Sequence, residues 1–166
     1  MKYKIYVDMD GVLTDWDSRF KEYSGGKSAD GYEEKDMWEI INRGGVKWWS
    51  DMKWLPDGKT LWKHLMATKP TILTKPSRDK SSITGKEIWL KKNLPGVEKI
   101  ITQDKSQYAE PNAILIDDTE KNINGWEEAG GIGILHKNLN DTVMQLNKIL
   151  GKDTAKTFKQ FWSRNG

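Results

Sequence analysis

Cysteine is absent from this chain of 166 residues, and its absence removes disulfides, thiolate metal sites and cysteine nucleophiles at once. Histidine is nearly absent too. His64 and His136 stand far apart without the spacing of metal ligands, and neither is assigned a role. No stretch approaches the roughly 20 apolar residues of a membrane-crossing helix, so no membrane partner is expected. Strand-like alternation begins at Tyr3, which leaves no room before it for the apolar core of a secretory leader; the expected location is the cytoplasm. Repeats and low-complexity segments are also missing, so the apolar clusters can be read in order.

What is present is a polar mix, 36% hydrophobic and 31% charged, of a length that suits one main domain with a smaller insertion. The formal charge of +3 is all in the tail. There Lys152, Lys156, Lys159 and Arg164 face only Asp153, and the rest of the chain is neutral. Such a charge fits solubility better than a phosphate-binding footprint, so nucleic acid is the less favoured partner. Phe158, Phe161 and Trp162 have helical spacing, and the reading for residues 151–166 is a basic helix docked on its own domain. A basic aromatic surface for a partner or for single-stranded nucleic acid is the alternative.

The rhythm of the chain is that of an α/β fold. Tyr3–Val7 reads as a buried strand, and Trp16, Phe20 and Tyr23 then fall at helical spacing, with Asp15 or Asp17 as the cap. "SGGKSADG", from Ser24 to Gly31, breaks that helix. Residues 25–55 read as an inserted cap in two helical pieces, one with Met37, Trp38, Ile40 and Ile41 and one in "VKWWSDMKWL". Residues 1–24 and 56–150 form the core. Leu61, Trp62, Leu65 and Met66 stripe the next helix; "TILT" is a strand; and Ser82 or Thr84 caps a helix to Asn93 with Ile88, Trp89 and Leu94 facing inward. "EKIIT", "AILI" and "IGIL" are further strands, with helices over 119–129 and Leu139–Leu150. Strands alternating with helices imply a Rossmann-like parallel sheet with helices on both faces.

In such sheets ligands bind at the carboxyl ends of strands. Asp8 and Asp10 follow the first strand, in "VDMDGVLTDWD". Thr74 ends the second strand, Lys86 opens the helix after it, Lys105 follows the strand around Ile101, and Asp117 and Asp118 close "ILIDD". Carboxylates gathered in one small volume repel unless a cation neutralises them, and an oxygen-only set suits Mg²⁺. An EF-hand does not fit, because counting from Asp8 its sixth position would be Leu13 and its twelfth Arg19. A carboxylate facing a phosphate monoester can attack phosphorus, which makes Asp8 the candidate nucleophile. Asp10 can protonate the leaving oxygen and later take a proton from water. Thr74 can donate to phosphoryl oxygens, while Lys86 and Lys105 supply positive charge, and Gly11 permits a tight turn.

"DMDGVLTD", "TILT", Lys86 and "ILIDD" resemble, in order and rough spacing, the four motifs of the haloacid dehalogenase superfamily of phosphotransferases. "WWSDMKWLPDG", "GKEIWLKKNL" and "KIITQDKS" are similar to segments of its 5′(3′)-deoxyribonucleotidase family, and the match covers about residues 3–136. The resemblance implies a Rossmann-like core with a small helical cap, Mg²⁺, and removal of phosphate from a deoxynucleoside monophosphate through an aspartyl-phosphate. It implies that Asp8 is nucleophile and Asp10 acid and base, that Thr74, Lys86 and Lys105 bind phosphate, and that Asp8, the Asp10 carbonyl, Asp117 and Asp118 surround the metal. Trp16 and Trp38, with Trp48 or Trp49, would be aromatic walls for the base. Two features depart from the family. Lys75 stands beside Thr74 where a serine is usual, adding a lysine to the phosphate-binding set, and the cap is shorter.

Other readings remain at this point. A phosphatase on another small phosphoester, or on a nucleic-acid 3′-phosphate, is favoured by Lys75 and the tail. A phospho-receiver also uses an acidic pair, a Thr and a Lys, but in an order this chain does not follow. A non-catalytic nucleotide-binding module is the remaining possibility. Trp62, Trp89 and Trp126 have helical neighbours and are expected in the core.

Overall fold

The computed structural model describes residues 2–151, so the tail with Phe158, Phe161 and Trp162 lies outside the described residues. Five parallel strands, β1 Lys4–Val7, β2 Thr71–Thr74, β3 Lys99–Ile101, β4 Ala113–Asp117 and β5 Ile132–Leu135, form one sheet in the order β3-β2-β1-β4-β5. The helices are α1 Trp16–Tyr23, α2 Glu34–Ser50, α3 Pro56–Leu65, α4 Ser81–Asn93, α5 Glu120–Glu128 and α6 Leu139–Leu150. This is the Rossmann-like α/β architecture. Among the described residues no helix is long and apolar enough to cross a membrane.

Alternation along each strand divides the core into two layers, because successive side chains leave a strand on opposite faces. Ile5, Val7, Ile72, Ile114, Ile116 and Ile134 pack with α1, α2, α3, α4 and α6 on one face. Tyr6, Leu73, Ala113 and Leu115 face the other side, where α5 supplies Ile123 and Trp126. That second layer is thin. Trp126 is fully buried, donates its indole N–H to the Ala113 carbonyl at 3.1 Å and meets the Tyr6 ring edge-on at 5.3 Å.

Local signals account for most boundaries. Asp15 caps α1 by accepting from the Ser18 amide, and Asn138 caps α6 by accepting from the Asp141 amide. Pro56 occupies the first turn of α3, where its missing N–H costs nothing. Helix α2 contains the first helical piece expected of the insertion and the start of the second, joined across a break at Gly45, whose φ of 58° and ψ of −145° are not helical; it ends at Ser50, so residues 51–55 of "VKWWSDMKWL" are not helical. Its buried residues Ile40, Ile41, Trp48 and Trp49 enter the same core as the sheet.

Three expectations are corrected. Ser82 does not cap α4: the helix begins at Ser81, and the Ser82 hydroxyl accepts from the Ser77 amide and donates to the Asp79 carbonyl, which ties down the preceding loop. Met66 lies just past the end of α3 and is exposed, so the stripe of that helix stops at Leu65. Ile88 is exposed while its neighbour Trp89 is buried, since adjacent helical residues point about 100° apart. Trp62, Trp89 and Trp126 are core residues as expected.

Because among the described residues one helix covers the second face, truncating its main side chain should be costly. Trp126→Ala is expected to lower the unfolding free energy by about 3–5 kcal/mol, measured as a lower urea midpoint at an unchanged slope. A loss below about 1 kcal/mol, the average for any substitution, would mean that this contact does not hold α5 to the sheet.

Candidate active site

The strand order brings the distant acids together. From β1 the chain builds outward through β2 and β3, then crosses back to place β4 on the other side of β1. This makes the β1/β4 boundary the switch point, where crossovers diverge and leave a crevice at the carboxyl edge. Val7 pairs with Ile116, and the Asp8 amide donates to the Ile116 carbonyl at 3.0 Å. Asp8 and Asp117 therefore leave adjacent strands at the same level.

Between them sits Lys105. Its ammonium donates to Asp8 Oδ1 at 2.7 Å and to Asp117 Oδ2 at 2.6 Å, and all three residues are buried. Lys105 arrives on a single 3-10 turn, Lys105–Tyr108, capped by Asp104, whose side chain accepts from the Ser106 amide. Asp117 is held further by the Thr119 amide at 2.8 Å on Oδ1 and the Asn122 side chain at 3.1 Å on Oδ2. Asp118 closes the group: one carboxylate oxygen each from Asp8, Asp117 and Asp118 lie within 4.8 Å of one another.

Asp10 belongs to a second, adjoining cluster. After Met9 the backbone turns so tightly that the Met9 carbonyl accepts from the amides of Val12, Leu13 and Thr14. Gly11 adopts φ 85° in this turn, and a Cβ there would fall 2.0 Å from Asp118 Oδ2; only glycine lets the turn lie against that carboxylate. Thr14 donates to Asp10 Oδ1 and Lys86 to Asp10 Oδ2, both at 2.8 Å. The same Lys86 ammonium donates to Thr74 Oγ1 at 2.8 Å. Since the Thr74 oxygen accepts from Lys86, its own hydrogen remains free to be donated into the cleft.

Charge in this volume is unbalanced. Asp8, Asp10, Asp117 and Asp118 meet the ammonium groups of Lys86 and Lys105, which leaves two negative charges uncompensated when all are ionised. The titration directions express that strain. Burial pushes the Asp8 carboxyl well up, against the pull of Lys105 and with repulsion from Asp117 and Asp118 added. Lost hydration pushes Asp118 up to about 6, and the charge of Asp117 adds to it. Burial opposes the charge on Lys105, but Asp8 and Asp117 outweigh it and its ammonium is stabilised overall. An all-oxygen set with this surplus fits a hard divalent cation, which Asp8, Asp117 and Asp118 could hold.

Above the clusters opens a cleft of about 1300 Å³. Asp8, Asp10, Thr74, Lys75, Lys105 and Asp118 line it, as do Trp16, Trp38 and Trp49. Three candidate residues do not line it, the first being Asp117, which is fully buried among its hydrogen-bond partners. Trp48 is fully buried, packed against Trp16 at 5.6 Å and Trp49 at 4.6 Å between ring centroids, because neighbours on a helix cannot share a face. Lys86, buried to 1% exposure, lies behind the wall made by Asp10 and Thr74. Lys75 is exposed at the rim. Thr14, Thr119 and Asn122, which orient the acids, escaped the sequence reading, although "DDTEKN" carries a signal in an Asp followed two residues later by a Thr able to close an Asx turn.

No family model and no curated protein sequence matches the chain. Solved structures do. A hydrolase from Streptococcus pneumoniae TIGR4 superimposes with a TM-score of 0.52 at 14% identity, over 90% of this chain and 99% of that one. A HAD-superfamily hydrolase from Ehrlichia chaffeensis gives 0.52 at 13% identity, over 91% of this chain and 100% of the other. An uncharacterized protein from Corynebacterium glutamicum ATCC 13032 gives 0.50 at 16% identity, over 89% and 94%. At these identities the likeness is one of fold: the chain has the Rossmann-like α/β fold of those proteins.

Lys105 is the internal counter-ion of two buried carboxylates, and its removal leaves both unpaired. Lys105→Ala is expected to cost about 3–5 kcal/mol of stability in metal-free buffer, with part of the loss recovered when millimolar Mg²⁺ is added. Urea unfolding with and without the ion measures both effects. A variant as stable as the parent would show that the bridge does not hold the site together.

Proposed function

We propose that the protein is a Mg²⁺-dependent phosphomonoesterase acting through an aspartyl-phosphate. The observation that carries the reading is the pairing at one sheet edge: Asp8 and Asp117 bridged by Lys105, with Asp10 and Thr74 bridged by Lys86 beside them. A buried carboxylate next to a second carboxylate and a row of donors is what in-line phosphoryl transfer to an acid requires. The motif resemblance and the fold likeness support the same reaction.

In this reading an oxygen of Asp8 attacks phosphorus while the bond to the leaving alcohol breaks, and protonated Asp10 delivers its proton to the departing oxygen. The acyl phosphate on Asp8 is then hydrolysed. Asp10, now ionised, takes a proton from water, the water oxygen attacks phosphorus, and the bond to Asp8 breaks to release phosphate. Thr14 and Lys86 keep Asp10 oriented through both steps. Thr74 donates its free hydrogen to a phosphoryl oxygen, and Lys105 holds one Asp8 oxygen in place. A Mg²⁺ ion on Asp8, Asp117, Asp118 and the Asp10 carbonyl would neutralise the carboxylate surplus and the charge of the phosphoryl group.

The finer reading is a 5′-nucleotidase for (deoxy)nucleoside monophosphates. Residues 25–55 are the cap, and Trp16, Trp38 and Trp49 on the cleft wall offer flat apolar surface for a base. Lys75 at the rim favours a second reading, a substrate with an additional phosphate such as a nucleic-acid 3′-phosphate end.

Phosphate release from a generic aryl phosphate is expected to need Mg²⁺, to stop on chelation, and to fall by at least about 10³-fold in Asp8→Asn and Asp10→Asn. Multiple turnover separates this from a receiver, which would keep its phosphoryl group. A panel of nucleoside monophosphates, sugar phosphates and 3′-phosphorylated oligonucleotides then chooses the substrate, and a nucleotide outperformed by sugar phosphates would sink the nucleotidase assignment. Mg²⁺-independent turnover, or activity surviving Asp8→Asn, would sink the mechanism.

A further inference from the structure

Lys86 is an interior lysine with two acceptors, Asp10 and Thr74, and its side chain is nearly sealed from solvent. An ammonium group has three hydrogens. The other group on it is the Trp49 ring, whose centroid lies 5.2 Å from Nζ. This is within the range at which an aromatic face attracts a cation, and the attraction strengthens where water is excluded.

Two further observations make the contact more than incidental packing. Trp49 is 4% exposed, yet its indole N–H is buried without a hydrogen-bond partner, an arrangement a tryptophan ordinarily avoids. Its polar handle is therefore not what places it there. Gly85 immediately precedes Lys86, and a Cβ at Gly85 would lie 2.4 Å from the Trp49 Cβ and 2.7 Å from the Val46 carbonyl. The missing side chain lets α4 press directly on the second half of α2, which brings the ring of one helix to the ammonium of the other.

We propose that Trp49 is a positioning residue for Lys86. Its ring fixes the ammonium between Asp10 and Thr74, so that Asp10 keeps its orientation as proton carrier and the Thr74 hydrogen stays directed at the substrate. The proposal rests on the phosphatase reading and changes the expected role of Trp49. As a base wall, Trp49 would govern the affinity of one substrate class; as the support of Lys86, it governs turnover of every phosphoryl donor, base or no base.

The test compares the parent with Trp49→Phe and Trp49→Leu on acetyl phosphate, which has no base, and on a deoxynucleoside monophosphate. Turnover number is expected to fall by about tenfold in Trp49→Leu on both substrates, with Phe between Leu and Trp, because the ring face carries the effect. A rise in KM confined to the nucleotide, with acetyl phosphate turned over normally, would overturn the proposal. An activity-free readout accompanies it: in protein labelled at lysine Cε, the Lys86 methylene, assigned by its absence in Lys86→Arg, is expected upfield from ring current and to move downfield in Trp49→Leu. An unmoved signal would overturn the proposal as well. If the parent hydrolyses neither substrate but the signal moves, the phosphatase reading fails and the positioning contact stands. Should Trp49→Leu not fold, Trp49→Phe and Trp49→Met carry both measurements.

Discussion

Repulsion between carboxylates that the sheet forces together is the constraint on which the site depends. Asp8 and Asp117 follow paired positions on adjacent strands, so the backbone ladder that holds the sheet also sets their separation. Neither can swing far from the other. The structure meets the repulsion with Lys105, inserted between them and buried with them. Asp10 and Lys86 form the neighbouring pair. Bridges of this kind add little net stability, but removing one partner is severe, because the other remains desolvated and alone.

The two lysines divide the work differently. Lys105 borders the cleft and touches the candidate nucleophile directly. Lys86 stands behind the cleft wall and acts on what lies in front of it, Asp10 and Thr74. Its link to the cleft is thus indirect, through two hydrogen-bond partners that line it. The Gly11 turn completes the arrangement by letting backbone rest against Asp118 where any side chain would collide.

Much of this was legible from residue order. Buried strands announce themselves by apolar runs, and Asp8, Thr74 and Asp117 were conspicuous because each closes such a run, with Asp10 two residues past Asp8. Lys105 was harder, since a loop lysine is ordinarily solvated and its partner Asp8 lies 97 positions away. Trp48 and Trp49 could not be told apart without the phase of α2, which the break at Gly45 resets. Ile88 and Met66 looked apolar enough to be inside, but hydrophobic residues are free to remain at the surface. Thr14, Thr119 and Asn122 went unnoticed because an orienting hydrogen bond has no composition of its own.

The sheet's second face has a consequence for how change at a distance could reach the chemistry. The helix that carries Trp126 into that thin layer also begins beside Thr119 and contains Asn122, two of the groups that grip Asp117. Seating of the helix and aim of the acid are a single mechanical quantity. A substitution on the far end of α5 that merely tilts it would re-aim the Asp117 carboxylate, together with Lys121 and Asn122 on the cleft wall. Drift in that helix therefore shifts the acid cluster from the thin side of the sheet, one helix length away from the groups that grip Asp117.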